Sequence, residues 1–185
     1  MKKIMKLAGI LFLVCAIVAG VLGVVNNLTY PTIQEQQNAA TYAAYREVLG
    51  ADDSVKFEEV SFDASAPEYA HVDSIVQASD GSGYCAQTTV SGAQGLITQV
   101  TGVDADFLCS GIAITSHSET SGLGAVAAST GEDGINFRAQ FVGQGDDIAL
   151  SSKGGSIDSI SGATITSTAC CTAVSEAIQA VRALG

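Results

Sequence analysis

Near its start the chain carries an uncharged apolar run, "LAGILFLVCAIVAGVLGVV", Leu7 to Val25. As a helix rising ~1.5 Å per residue, this run would span ~28 Å, close to the ~30 Å hydrocarbon core of a bilayer. The stretch that follows, "TYPTIQEQQNAATYAAYREVLGA", places Ile33, Ala40, Ala44 and Leu49 on part of one helical face. Thr32 and Glu35 have capping-box spacing, and Gly50 suits the position just past a helix end. From Val55 the pattern changes. "VKFEEVSF", "AHVDSIVQA", "GYCAQTTV", "GLITQVTGV" and "FLCSGIAITS" are short β-branched runs bounded by Gly, Ser and Asp, and they predict strands. "INFRAQF" alternates apolar and polar residues and reads as another strand. Gly143 to Gly155, "GQGDDIALSSKGG", is the loosest stretch and reads as a surface loop. The final "TITSTACCTAVSEAIQAVRAL" returns to helical period, with Cys170, Ala173, Ala177, Val181 and Leu184 along one stripe.

A helix, a run of successive strands and a closing helix predict an α+β fold. Its sheet is expected to be mainly antiparallel, with flanking helices, behind an N-terminal transmembrane helix. The division we expect is 1–25 for a cytoplasmic N-terminus and anchor, 26–50 for a connecting helix, and 51–185 for one extracytoplasmic domain.

Charge gives this layout a direction. Lys2, Lys3 and Lys6 precede the apolar run, and the next basic residue is Arg46. The positive-inside rule then places the N-terminus in the cytoplasm and the remainder outside, a single-pass protein of the cell membrane held in the lipid bilayer by Leu7–Val25. A cleaved signal peptide is the rival reading. It calls for a shorter apolar region and a small-x-small exit, whereas this run passes directly into "NNLTYPTIQEQQ". Cys15 makes a poor lipidation site, because Val14 stands before it where a small residue is wanted. All 19 acidic residues follow the run, against five basic ones (Arg46, Lys56, Arg138, Lys153, Arg182), so the outer domain carries −14. Such a surface excludes nucleic acid and anionic lipid as partners, since both require basic patches.

Outside the span lie Cys85, Cys109, Cys170 and Cys171. A Cys85–Cys109 disulfide is open if their strands are neighbours. Cys170 and Cys171 point in different directions from a helix and read as small packed residues. With no C-x-x-C and only His71 and His117, no metal site is expected.

The chain also lacks G-x-S-x-G, Walker A and G-x-G-x-x-G signatures, so it presents no nucleophile elbow or familiar nucleotide loop. Two clusters remain. "SHSETSGLGA", Ser116 to Ala125, sets His117, Glu119 and Thr120 before Gly122-Leu123-Gly124. The glycines permit a tight turn and close approach of a planar ligand, with Leu123 as an apolar contact; an ordinary hairpin turn is the plainer reading. "DSISGATITSTACC", Asp158 to Cys171, sets Ser161, Gly162, Ala163 and Thr164 at a helix entrance, where free backbone N–H groups favour a phosphate. A simple Ser/Thr cap is the alternative there. No histidine stands beside these hydroxyls to act as a base.

"DSISGATIT" resembles D-x-x-S/T-G-A-T, the flavinylation motif of FMN-binding domains. "SHSETSGLG" resembles the H-x-E-T-P-G-L-G segment that precedes it in the same domains. The order of the motifs, the anchor and the chain length resemble the RnfG component of Rnf-type complexes, which are ion-translocating ferredoxin:NAD⁺ oxidoreductases. The C component of the sodium-pumping NADH:quinone oxidoreductase is a related but typically longer chain.

The resemblance implies FMN carried covalently on Thr164 through a phosphodiester, attached by a separate flavin transferase that uses FAD. A threonine hydroxyl without an adjacent base is a weak nucleophile, which agrees with modification by another enzyme. By the same resemblance Asp158, Ser161, Gly162 and Ala163 complete the transferase's recognition sequence. His117, Glu119, Thr120, Gly122, Leu123 and Gly124 would line or shape the flavin site. Ser121 stands where the family usually has proline, a departure that loosens this loop. With no tryptophan in the chain, Tyr84, Phe137 and Phe141 are the aromatic candidates for a ring contact.

The implied role is an electron-transfer component without a complete active site of its own, relaying electrons between other membrane subunits of the complex. The apolar run has no charge after Lys6 and so offers no ion relay. A stand-alone extracytoplasmic flavoprotein, and a non-redox anchored binding module whose two motifs are only turns and caps, are the other readings.

Overall fold

The computed structural model describes residues 2–63 and 66–184, without the side chains of residues 2–5, 8 and 31–35. Two compact units divide between Ala39 and Ala40. In the first, Gly9–Tyr30 is a helical stretch of 22 residues, long and apolar enough to cross a membrane, with none of it buried. It belongs to α1 (Lys2–Leu49).

Thr32 therefore does not open a helix as its spacing suggested. The residues before it are already helical, so there is no exposed first turn to cap. Ile33, Thr32 and Glu35 are among the side chains outside the described set.

The second unit is built on a five-stranded antiparallel meander of β1 (Phe57–Val60), β2 (Val72–Ala78), β3 (Tyr84–Ser91), β4 (Leu96–Val103) and β5 (Cys109–His117). All five lie where the β-branched runs predicted them. Alternation gives the sheet two apolar faces. On one, Ala44, Tyr45 and Val48 from the end of α1 pack against Val76, Cys85, Val100 and Ala113. Gly102 and Gly111 are paired across β4 and β5 beneath Val48. A β-carbon at either would come within 2.9 or 3.2 Å of the Val48 carbonyl oxygen, so these glycines let the helix end approach the sheet. Ser110 Oγ donates to the same carbonyl at 2.7 Å.

The other face carries α3 (Thr164–Arg182), whose Cys170, Val174, Ala177, Ile178 and Val181 are buried with Ile75, Ala86, Val103 and Ile112. Small residues on this stripe bring the helix close to the sheet. Cys85 and Cys109 thus belong to cores on opposite faces, on strands separated by β4, and both are free thiols. The disulfide left open by the sequence is not formed.

"INFRAQF" is helical, not extended: it falls in and just after α2 (Glu132–Ala139). Phe137 and Phe141 are four residues apart, both buried, and meet edge to face at 5.2 Å. One helical turn puts both rings into the core and leaves Ile135 exposed, whereas a strand would place Ile135 on the same face as Phe137 and Phe141. Glu132 and Asp133 in the first turn favour the helix electrostatically. The Gly143–Gly155 stretch is not wholly superficial either. Leu150 is fully buried and bridges to Ile157, and Ser151–Lys153 forms a 3₁₀ turn.

Candidate functional site

The two sequence clusters meet at the N-terminal end of α3. After β5, the chain turns through Glu119 to Gly124 and enters a 3₁₀ segment, Gly124–Ala128. The turn is closed by backbone bonds from Leu123 N–H and Ala125 N–H to Thr120 O, at 3.1 and 3.2 Å. Glu119 is buried at its centre. One carboxylate oxygen, Oε1, accepts Gln94 N–H at 2.9 Å, and Oε2 accepts the Thr166 hydroxyl. Three segments distant in sequence are thereby joined: the β3–β4 turn, the loop after β5, and the first turn of α3.

Burial pushes the Glu119 carboxyl up, but the donors from Gln94, Thr166 and Ala93, with His117 nearby, outweigh it and hold the group below the usual glutamate range. The Glu119 backbone N–H also donates to His117 Nδ1 at 3.2 Å, which directs a neutral His117 to carry its proton on Nε2. His117 itself, like Thr120, is exposed. Gly124 is required by contact: a β-carbon there would collide with Glu119 Oε2 and Thr166 Oγ1. Gly122 is required by conformation, with φ +76° and open space around it.

The helix entrance has an unusual economy. Ala163 is the N-cap and supplies no side-chain cap. Ser167, from inside the helix, does the equivalent work: its Oγ accepts Ile160 N–H and donates to Ala163 O, both at 3.0 Å. This pins the turn Ile160–Ala163, in which Gly162 has φ +73°. A β-carbon at Gly162 would lie 3.1 Å from Leu123 Cδ2, so the leucine of one motif sits directly against the glycine of the other. The Asp158 backbone is clamped by Gln140, through Asp158 N–H to Oε1 at 2.7 Å and Gln140 Nε2–H to Asp158 O at 3.3 Å, while the Asp158 residue is exposed.

Hydroxyl accessibility then separates the candidates. Thr166 and Ser167 are fully buried and hydrogen-bonded. Thr168 donates to Thr164 O at 2.8 Å. Ser161 and Thr164 are exposed. Thr164 occupies the first helical position with its hydroxyl free of any cap, and lines a cleft of about 470 Å³. A cleft of that size can receive a cofactor on the scale of FMN. The candidate aromatic contacts lie elsewhere. Phe137 and Phe141 are core residues, and Tyr84 begins β3 whereas the cleft touches its end at Val90 and Ser91. Sequence reading did not find Gln94 or the inward roles of Thr166 and Ser167. The one available signal was that both hydroxyls fall on the apolar stripe side of α3, where an unbonded hydroxyl is costly.

The FMN-binding domain family matches residues 92–179, a range that takes in both motifs, and the RnfG N-terminal region matches residues 1–48. The chain is 31% identical over 187 residues to the G component of the ion-translocating oxidoreductase complex of Methanosarcina acetivorans, covering 98% of this chain and 96% of that protein. It is 33% identical over 195 residues to the G component of the Na⁺-translocating ferredoxin:NAD⁺ oxidoreductase complex of Acetobacterium woodii, covering 96% of this chain and 91% of its relative.

Proposed function

We propose, from the premise that this chain belongs to the RnfG family of ion-translocating oxidoreductase complexes and contains an FMN-binding domain, that it is a membrane-anchored electron carrier with FMN bound covalently to Thr164. The single observation that carries the site assignment is the contrast in hydroxyls around the α3 entrance. Thr164 is exposed at the first helical position beside a cleft, while Thr166 and Ser167 are buried and engaged.

Attachment joins the Thr164 oxygen to the FMN-side phosphorus of FAD. The pyrophosphate bond breaks, AMP leaves, and the hydroxyl proton passes to a base of the flavin transferase. The phosphodiester formed retains one negative charge at the helix N-terminus, which the free N–H groups and helix dipole favour. Asp158, Ser161, Gly162 and Ala163 are presented with Thr164 on the turn pinned by Ser167 and Gln140, the form in which a transferase would read them.

Once bound, the flavin supplies the electron acceptance and donation that no side chain here provides. The chain's residues hold and orient it. Glu119, Thr120, Gly122 and Gly124 set the loop, His117 flanks it, and Leu123 seats the attachment turn through Gly162. Gly9–Tyr30 anchors the domain, with the lysine-rich N-terminus in the cytoplasm, and neighbouring membrane subunits deliver and remove electrons. The full-length similarity to the G components of two such complexes favours a place within a complex over a stand-alone flavoprotein.

Intact-mass measurement of the native protein tests this reading. A mass increase equal to FMN less one water, retained on denaturation and fragmented to the Thr164 peptide, is the expected result. Wild-type protein made with its own transferase and lacking any such increase would overturn it.

A further inference from the structure

The cleft beside Thr164 involves residues outside both motifs. Thr164, Thr168 and Thr172 stand one helical turn apart on the same face of α3, covering ~12 Å of its length. The Thr168 and Thr172 hydroxyls donate to the carbonyls of Thr164 and Thr168, at 2.8 and 3.1 Å. Their protons are committed inward, so this face offers methyl groups and lone pairs. Val90, Ile165 and Ala169 complete an apolar floor. Ile165 is 62% exposed despite its place on the domain's principal helix, next to buried Thr166.

The polar groups stand at the rim. Lys153 comes from the 3₁₀ turn Ser151–Lys153, and His71 immediately precedes β2. His71 is held in place by Glu176: its Nδ1 lies 2.8 Å from Oε1, and its backbone N–H donates to Oε2 at 2.9 Å. That leaves Nε2 as the ring nitrogen available to a ligand. In an acidic chain of net charge −11, cations are few, and three of the five beyond the apolar run are committed. Arg46 pairs with Asp53, Arg182 with Asp146, and Arg138 donates to Ala127 O and Ser129 O. Among the described residues, Lys56 and Lys153 form no ion pair, and of the two Lys153 borders the same cleft as Thr164.

We propose that this cleft is the seat of the flavin carried on Thr164. Lys153 is the counter-charge of the phosphodiester, the ribityl chain and ring lie over Val90, Ile165 and Ala169, and His71, positioned by Glu176, presents Nε2 to a polar edge. The assignment rests on Thr164 being the attachment residue. Three features support it: an anionic group tethered at one end meets an unpaired cation, a planar apolar body meets an apolar floor, and about 470 Å³ falls in the range of small-molecule pockets.

The test uses full-length protein flavinylated by its transferase, as wild type, Ile165→Ser, Lys153→Gln and, as a control on exposed α2, Ile135→Ser. The Thr164 adduct is quantified first by mass. Its absence from wild type would defeat the attachment reading and is thereby distinguished from failure of the cleft. With the adduct present, acrylamide quenching and anisotropy of flavin fluorescence report how the ring is held. Wild type should be shielded relative to free FMN. Ile165→Ser and Lys153→Gln should each raise the quenching constant at least threefold and lower anisotropy, with unchanged circular dichroism, while Ile135→Ser matches wild type. Wild-type quenching equal to that of free FMN, or both cleft variants equal to wild type, would overturn the proposal.

Discussion

The Thr166 hydroxyl donates to Oε2 of Glu119, fastening the first turn of α3 to the loop after β5 across 47 residues of sequence. Both partners are buried, and the second carboxylate oxygen is occupied by Gln94 N–H. Removing one donor leaves a buried carboxylate oxygen without its partner, at a cost of about 1–3 kcal/mol. Thr166→Val keeps the shape and should lower domain stability by that amount in denaturant unfolding, while Thr166→Ser should retain most of it. Equal stability of the valine variant and wild type would show that this link does not hold the site together.

The same pair carries a pH dependence. The folded-state Glu119 carboxyl is held below its ordinary value of 4.5, so the unfolded chain binds its proton first as pH falls. The stabilisation is fully present above that ordinary value and is lost as pH drops through the lower, folded-state value. Glu119→Gln removes the titration and should flatten the acid limb of the stability–pH curve, with a lower plateau at neutral pH. An acid limb of unchanged slope in the variant would assign acid sensitivity to other carboxylates.

Thiol chemistry should report the two-faced core. Burial pushes the Cys109 and Cys170 thiols up to about 12 and Cys171 to about 11, and Cys85 is raised further still. None should react with iodoacetamide at pH 8 in the folded protein, and all four should react after unfolding without reductant. A need for reductant before alkylation would reveal a disulfide that the opposite-face placement of Cys85 and Cys109 excludes.

What the sequence made legible follows from the range of the interactions. The five strands and α3 were readable because alternation and the helical stripe are local consequences of burying one face. α2 was misread because "INFRAQF" puts Phe137 and Phe141 on one face under either period, and only the exposure of Ile135 beside them selects the helical one. The motif residues of the site were legible one by one, but their meeting was not. Leu123 against Gly162, and Glu119 with Thr166, are pairings that no local pattern encodes. Lys153 was hidden for a different reason, since it lies in a stretch whose composition reads as loop while buried Leu150 and Ile157 fix its position.

Orientation is testable directly. With Lys2, Lys3 and Lys6 ahead of an uncharged span, the domain after it should be digested by protease added to right-side-out cells stripped of their wall. Protection there, with digestion in inverted vesicles, would reverse the topology.

Thr164 provides the sharpest discrimination, because Thr166 and Ser167 differ from it in burial and not in chemistry. Thr164→Ala removes an exposed side chain that makes no cap bond, so folding should change by less than ~1 kcal/mol while the covalent adduct disappears. Thr166→Val should do the reverse, lowering stability through Glu119 yet leaving the adduct on Thr164, provided assays are run where the variant is folded. Ser161→Ala should leave the turn folded, since it is pinned by Ser167, but slow formation of the adduct by removing a residue that the transferase reads. Gly122→Val adds a branched side chain at φ +76°, costing roughly 1–2 kcal/mol of backbone strain without any collision. Its adduct should form, with an altered flavin potential as Leu123 is displaced from Gly162. The adduct is scored by in-gel flavin fluorescence after denaturation and by peptide fragmentation. Fluorescence that survives Thr164→Ala and vanishes only with Thr166→Val would move the attachment to a buried hydroxyl and refute the accessibility argument on which the assignment stands.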